Sequence, residues 1–279
     1  MRRLSLLAAL VLLVALVALA TLAAARAGLY DVGRLARRVP DTTALMRQRE
    51  AEAQRAGRQW RLRRTWVSYE RISPLLRRAV LTAEDAAFYQ HGGLDWTELK
   101  AAARRDLEEH RVVRGGSTIT QQLAKNLYLG DQRTLTRKLT EVFVALRLER
   151  ALSKRRIFEL YLNLIEWGDG VFGAEAAARH YFGVSAADLS PRQATLLAAV
   201  IINPRRYSVL APGRRIERRV RMIAGRMHRR GALDDAQYAQ ALGLPPPPPP
   251  ADSSAVSAAP DTTSAPAEPA GPLSPPASP

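Results

Sequence analysis

The chain has 279 residues, no cysteine and a formal net charge of +16, because 42 lysines and arginines outnumber 26 acidic residues. The absence of cysteine excludes a disulfide framework and thiol chemistry. So strong a positive charge indicates an anionic partner, and charge alone leaves nucleic acid, membrane phospholipid and a phosphorylated substrate open.

The first predicted element is an uncharged stretch, Leu4–Ala25, rich in Leu, Ala and Val. A helix of this length rises about 33 Å, enough to cross a hydrocarbon core of about 30 Å. The alternative is a cleaved signal peptide, although signal cores are shorter, at about 7–15 residues. Arg2 and Arg3 favour an N-terminus in the cytoplasm, although the arginines that follow the stretch weaken this charge asymmetry. We predict an uncleaved membrane anchor, which argues against DNA as the partner.

Composition divides the rest of the chain. We assign residues 1–28 to the anchor, 29–59 to a linker that leads into the domain, 60–244 to one globular domain and 245–279 to a tail. The tail is rich in Pro, Ala and Ser and has little to bury, so we expect it to be disordered. It holds three acids and no basic residue, so residues 1–244 carry +19.

Helix signals recur through the domain, whereas strand signals are poor. Ser73 followed by Pro74 is typical of an N-cap and the first helical position. This pair predicts a helix that continues through Ala87 and ends at His91-Gly92-Gly93.

Five further helices are predicted along the chain. Asp95 and Glu98 have the spacing of a capping box that begins the first of them. The others begin at or near Ser117, Thr134, Ser153 and Ser190-Pro191. We expect the helix from Ser153 to end at Gly168 and Gly170.

Apolar spacing predicts the buried faces of these helices. The helix from Ser117 carries Ile119, Leu123 and Leu127 on one stripe. For the helix from about Thr134 to Leu152, the predicted buried side is Leu135, Leu139, Val142, Phe143 and Leu146. For the helix from Ser153, it is Ile157, Leu160, Tyr161 and Leu164. The pattern indicates a mainly α domain.

A first motif runs from the acidic pair Glu84-Asp85 through an aromatic pair, His91 and two glycines to Asp95. Glu84 lies in the C-terminal half of its predicted helix, beside a like charge. Both features disfavour the ionised carboxylate, which suits a general base. The alternative is an exposed acidic pair on a solvated helix.

A second motif begins at Gly115-Gly116. Ser117 is the predicted N-cap, and the start of the helix then offers free N–H groups to a phosphate. Gln121, Gln122 and Lys125 follow within two turns and add amide donors and a cation. The alternative is a well-capped surface helix.

A third motif runs from Arg133 to Glu141. Arg137 and Lys138 lie four and three residues before Glu141, so the three side chains share one helix face. The alternative is an exposed ladder of ion pairs. Two more motifs, within residues 154–183 and 196–207, are interpreted as scaffold.

All five motifs, in this order across about residues 66–207, resemble the signatures of the peptidoglycan glycosyltransferases, which polymerise lipid II. Leu94 departs from the pattern, in which an aromatic residue usually precedes the aspartate. Ser-x-x-Lys and Lys-Thr-Gly, the motifs of acylating transpeptidases, do not occur in the sequence. The resemblance is therefore to the monofunctional biosynthetic enzymes of the family.

The resemblance implies a lysozyme-like helical fold of two lobes, with a cleft that faces the membrane. It implies that the acceptor's 4-hydroxyl attacks C1 of the donor with inversion, and that undecaprenyl diphosphate leaves. It assigns a catalytic role to Glu84, as general base, and to Glu141. It assigns substrate binding to Ser117, Gln121, Gln122, Lys125, Arg133 and Lys138. It suggests that Mg²⁺ or Mn²⁺ bridges the diphosphate, although the sequence shows no dedicated ligand cage; His91 and His180 are interpreted as structural, and no organic cofactor is expected.

The implied partners are lipid II, the growing glycan strand and the cytoplasmic membrane, with the domain on its outer face. Proteins of cell-wall synthesis or division are further expected partners, and nucleic acid is not. One alternative function is a lysozyme-like peptidoglycan hydrolase or lytic transglycosylase, which also uses paired carboxylates on a helical fold but needs no phosphate site. The other is a non-catalytic basic protein of the membrane surface.

Overall fold

The computed structural model describes residues 2–26, 29–108, 116–131 and 134–245. Within these ranges it leaves out the side chains of residues 2–10, 22, 25–26, 103 and 105–108. Arg133, a predicted substrate-binding residue, lies outside the described residues, as does nearly all of the predicted tail.

The described residues are mainly helical, as the sequence predicts. The helices are α1 (Arg2–Arg26), α2 (Ala44–Arg55), α3 (Pro74–Glu84), α4 (Trp96–Glu108), α5 (Ile119–Ala124), α6 (Leu135–Ala151), α7 (Lys154–Leu164), α8 (Ala174–Phe182), α9 (Pro191–Val200), α10 (Arg214–Arg229) and α11 (Asp235–Leu242). Short 3₁₀ turns lie at Gly33–Ala36, Tyr69–Arg71 and Phe88–Gln90, and a π turn at Lys125–Leu129 follows α5 directly.

A small sheet of three strands joins the helices. Its strands are β1 (Arg63–Arg64), β2 (Glu166–Gly168) and β3 (Val171–Phe172), in the order β1-β3-β2. β1 runs parallel to β3, with Arg63 opposite Val171, and β2 runs antiparallel to β3.

Local caps explain where many helices begin. The side chains of Ser73, Asp95, Ser153 and Ser190 each accept a hydrogen bond from a backbone N–H two or three residues ahead. These starts confirm the predictions. Each cap satisfies a donor that the first helical turn would otherwise leave unpaired.

Two predicted helix ends are wrong. α3 ends at Glu84, not at the glycines, because Asp85 leaves the helical backbone (φ −163°, ψ 80°). α7 ends at Leu164, because the next residues form the β2–β3 hairpin. The sequence carries a signal for this hairpin in Asp169-Gly170, and Gly170 has φ +72°.

The predicted buried face of α6 is also wrong. The buried residues are Glu141, Val144, Ala145 and Leu148, whereas Leu135 is well exposed and the other predicted positions are half-buried. α6 packs against α5 and α7. The stripe with the strongest apolar pattern is thus only partly buried. The buried face can include Glu141 because Arg137 and Lys138 neutralise its charge.

The core continues across two groups of helices. α3, α9, α10 and α11 pack on one another, and α5 packs on α6 and α7. The predicted stripe of α7 is fully buried. α2 packs against the π turn, so the structured part begins before residue 60, where the sequence analysis places a linker.

The predicted anchor Leu4–Ala25 coincides with α1, which packs against α6. None of the helices in the described part of the chain has both the length and the apolar character that a membrane crossing requires. Several side chains of the predicted anchor lie outside the described residues.

Candidate active site

A cavity of about 430 Å³ opens where the end of α3 meets the start of α4, the residues before α5 and one side of α10. It is lined by Thr82, Ala83, Glu84, Asp85, Ala86, Ala87, Asp95, Glu98, Gly116, Ser117, Thr118, Arg219, Met222 and Arg226. Four carboxylates and two guanidinium groups therefore share one concave surface. Of the predicted site residues, Glu84 and Ser117 line it.

Glu84 is the last residue of α3, and its side chain is 11% exposed. Oε1 accepts a hydrogen bond from Arg219 Nη2 at 2.6 Å, and Oε2 accepts one from Gln122 Nε2 at 3.0 Å. The same Arg219 atom donates to the Ala83 carbonyl at 3.3 Å. The guanidinium and the carboxylate therefore form an ion pair. No motif or spacing in the sequence predicts this role for Arg219.

The hydrogen bonds of Gln122 fix its amide. The Tyr161 hydroxyl donates to Gln122 Oε1 at 3.0 Å, so the amide nitrogen points to Glu84. Burial, and then the charges of Glu84 and Asp85, raise the pKa of Tyr161 well above its ordinary value. The hydroxyl therefore keeps the proton that it donates. Gln122 and Arg219 together hold both carboxylate oxygens of Glu84.

The carboxylate of Asp85, unlike that of Glu84, binds His91 and the backbone at the start of α5. This buried carboxylate accepts from His91 Nε2 at 2.9 Å and from the Ile119 N–H at 3.0 Å. The Gly93 N–H donates to His91 Nδ1, so Nε2 carries the imidazole proton. One of the N–H groups that the sequence offered to a phosphate at the start of α5, that of Ile119, is therefore already bonded to the protein's own carboxylate.

Asp85, His91 and Asp95 are also the group of described residues with metal-ligand atoms close together, all within 4.8 Å of one another. The ligand atoms of Asp85 and His91, and one oxygen of Asp95, are already used in the fold. Asp85 accepts from His91 and Ile119, and Asp95 caps α4. This arrangement supports the structural interpretation of His91 and does not fit a resident metal ion.

The N-cap of α5 is Thr118, so the prediction of Ser117 is wrong by one residue. Thr118 Oγ1 accepts from the Gln121 N–H at 3.2 Å, and Gln121 Oε1 accepts from the Thr118 N–H at 3.0 Å. The spacing Thr-x-x-Gln was the available signal. Gln121 is thereby buried in the cap, whereas Ser117 is free to face the cavity.

Ser117 connects the cavity to a cluster of charges on α6. Lys138 Nζ donates to Ser117 Oγ at 2.9 Å and also to Glu141 Oε1. Arg137 Nη1 donates to Glu141 Oε2 at 2.5 Å. The predicted contacts along α6 are therefore present. The Glu141 side chain is only 3% exposed, which does not fit the alternative of a solvated ladder.

Lys125 opens the π turn beside this cluster. Its ammonium group has no hydrogen-bond or ion-pair partner among the residues that the structure describes. Burial lowers the pKa of Lys125; the charge of Glu141 opposes this shift, and that of Arg137 adds to it. A half-buried ammonium group that none of the described carboxylates contacts directly is a ready site for an anionic group.

Comparison with known proteins identifies the family. The transglycosylase family model matches residues 51–228. The biosynthetic peptidoglycan transglycosylase of Laribacter hongkongensis is 50% identical over 189 residues, which cover 68% of this chain and 83% of the relative. That of Nitrosomonas eutropha is 48% identical over 188 residues, 67% of this chain and 77% of the relative. That of Alcanivorax borkumensis is 49% identical over 199 residues, 71% and 78% respectively. The chain therefore belongs to the transglycosylase family.

Proposed function

We propose that this chain is a peptidoglycan glycosyltransferase that polymerises lipid II into β-1,4-linked glycan strands and releases undecaprenyl diphosphate. Family membership and the names of its relatives support this activity. The observation that carries the mechanism is a carboxylate fixed in the cavity by Arg219 and Gln122, with a cluster of cations that reaches the same cavity through Ser117.

Glu84 is the general base of this proposal. It accepts the proton of the acceptor's 4-hydroxyl as that oxygen attacks C1 of the donor sugar. The bond from C1 to the diphosphate oxygen breaks on the opposite face and leaves its electron pair on the diphosphate, so the α-linked donor gives a β bond. Gln122 and Arg219 orient the carboxylate. General-base catalysis contributes about 10²–10⁴-fold.

The leaving diphosphate gains negative charge as its bond breaks, and preorganised cations stabilise that charge. We assign this role to Lys125 and Lys138, and to Arg133 from the motif alone. Glu141 orients Arg137 and Lys138 through its two oxygens. Ser117, Gln121 and Gln122 are proposed to hold the sugar–phosphate portion, Gln121 through its position in the cap.

A divalent ion is a further part of the proposal. The group Asp85, His91 and Asp95 does not fit a resident metal, so Mg²⁺ or Mn²⁺ would take its ligands from the diphosphate and water. No step above depends on it.

The alternative of a hydrolase or lytic transglycosylase is less compatible with the site. Glycoside cleavage needs a protonated carboxylic acid to protonate the leaving oxygen. In this structure both oxygens of Glu84 instead accept hydrogen bonds, from Arg219 and Gln122. Cleavage of finished glycan also releases no diphosphate, so it gives the cations of α6 and the π turn no role.

One assay separates the two functions. We expect the purified protein to convert lipid II to polymer and to release no fragments from finished peptidoglycan. Fragments from finished peptidoglycan, with lipid II left intact, would establish the hydrolytic alternative instead. A parallel reaction with EDTA tests the divalent ion.

The membrane anchor is also a proposal. We place Leu4–Ala25 as a single span of the cytoplasmic membrane, with the two-lobed, lysozyme-like domain outside, because the lipid of the substrate cannot leave the bilayer. Proteins of cell-wall synthesis or division are the partners this position would allow. We expect protease added to spheroplasts to digest the domain and to spare the first residues. A domain shielded from the protease would overturn this topology.

A further inference from the structure

Arg49, on α2, lies outside the cavity and is the centre of an ionic cluster. Its guanidinium contacts three carboxylates: Glu52 at 3.0 Å, Asp131 at 2.9 Å and Glu166 at 3.1 Å. These belong to α2 itself, to the segment after the π turn and to β2. The Arg49 side chain is 11% exposed. The cluster therefore ties three distant parts of the chain together at one buried group.

Gln48, the residue before Arg49, binds the same segment, and one of its hydrogen bonds is to the backbone of Asp131. Gln48 Oε1 accepts from the Asp131 N–H at 2.9 Å, and Gln48 Nε2 donates to Asp131 Oδ1. Gly130 has φ +71°, and a Cβ there would clash with Gln48 Oε1. Glycine suits this position chiefly because its backbone conformation (φ +71°, ψ −165°) is one that other residues rarely adopt.

The segment that α2 holds is the end of the π turn that begins with Lys125. The Gly130 N–H donates to the Lys125 carbonyl at 2.9 Å and closes the turn. α2 packs against the whole turn. Turns of this type are rare and occur often at functional sites.

Stability alone does not explain such a cluster. Taking charges out of water costs free energy that their attraction only partly offsets, and apolar packing often does as well. What the cluster supplies is a fixed geometry, with two hydrogen-bonding side chains of α2 on a single residue, Asp131.

We propose that α2 is a positioning element for the transfer reaction: Gln48 and Arg49 hold Gly130-Asp131 and thereby aim the Lys125 ammonium at the leaving diphosphate. This inference rests on the proposed function. Arg49 and Asp131 do not touch the reacting atoms and are positioning residues.

The test uses Asp131→Asn in the full chain. The Asp131 side chain is 39% exposed, and Arg49 keeps Glu52 and Glu166, so the fold should survive. The amide oxygen of an asparagine can still accept the hydrogen bond from Gln48 Nε2. The ion pair with Arg49 is lost, because the asparagine side chain is neutral. The matched control is Asp169→Asn, because Asp169 is 47% exposed and pairs with Arg58 away from the cavity.

We expect Asp131→Asn to lower kcat/KM on lipid II about tenfold, because small misplacements of a reacting group are costly. Its melting temperature should match that of Asp169→Asn. The pH profile gives a second readout, one that a loss of folded protein would not move. Among the residues that the structure describes, the charged groups acting on Lys125 are Glu141, Arg137, Asp131 and Lys138, and Asp131 raises the pKa of Lys125. Its removal should shift the alkaline limb of kcat/KM to lower pH.

Turnover and pH profile equal to those of Asp169→Asn would overturn the positioning role. So would a loss of kcat/KM that only follows a loss of folded protein, with the alkaline limb unchanged. A wild-type protein that fails to polymerise lipid II would instead refute the proposed function, so the two failures are distinguishable.

Discussion

Replacing Glu84 with glutamine should abolish polymerisation of lipid II, with kcat lower by about 10²–10⁴-fold. The amide has nearly the same shape and still accepts from Arg219, but it cannot take the proton of the acceptor hydroxyl. The fold should be retained, because Glu84 lines the cavity and is not part of the apolar core, at the cost of the hydrogen bond from Gln122, whose donor would face the new amide NH₂. Turnover, circular dichroism and binding of lipid II are the measurements.

A suitable control for this variant is Glu217→Gln. Glu217 is on α10, as Arg219 is, but it pairs with Arg192 and does not line the cavity. We expect near-normal turnover for it. Near-normal turnover for Glu84→Gln, with an unchanged circular dichroism spectrum, would show that another group accepts the proton.

Replacing Lys125 with methionine should reduce turnover without reducing stability. A charge-assisted hydrogen bond is worth about 1.5–3 kcal/mol, so its loss corresponds to roughly 10- to 100-fold in rate. Burial lowers the pKa of Lys125, so the unfolded chain binds this proton more tightly than the folded one. Below the folded-state pKa of Lys125, the buried charge therefore lowers the free energy of unfolding, and stability rises as the pH increases through that pKa. Methionine removes the buried charge, and we expect an equal or higher melting temperature at pH 7.

The contrast is Lys154→Met. Lys154 Nζ pairs with Glu149 at 2.8 Å and lies over the Phe88 ring, so its loss should lower the melting temperature. Lys125→Arg keeps the cation at high pH and should extend the alkaline limb of kcat/KM upward. Full activity of Lys125→Met, or a melting temperature as low as that of Lys154→Met, would contradict our account of this lysine.

Local chemistry explains which parts of the structure were predictable from the sequence. A cap such as Ser73 or Ser153 acts within three residues, and Arg137, Lys138 and Glu141 meet along a single helix. Both arrangements are visible in spacing alone. The N-cap at Thr118 is equally predictable, because its reciprocal hydrogen bonds with Gln121 are also a local signal.

The remaining features depend on contacts across the fold. Arg219 reaches Glu84 from a helix near the other end of the domain, and no spacing rule connects them. Asp85 leaves the helix to bond Ile119, which belongs to another element. On α6, periodicity identifies an apolar stripe but cannot detect that Glu141 is neutralised and therefore able to enter the core.

The π turn at Lys125–Leu129 has a consequence for chain length. Its hydrogen bonds join residues that are five apart in sequence, against four in an α-helix. Deletion of one residue there would restore the more favourable α-helical hydrogen bonds. The same deletion would rotate everything beyond it by about 100° around the axis. Gly130 would then no longer meet Gln48. Related sequences should therefore tolerate substitution in this turn more readily than a one-residue gap.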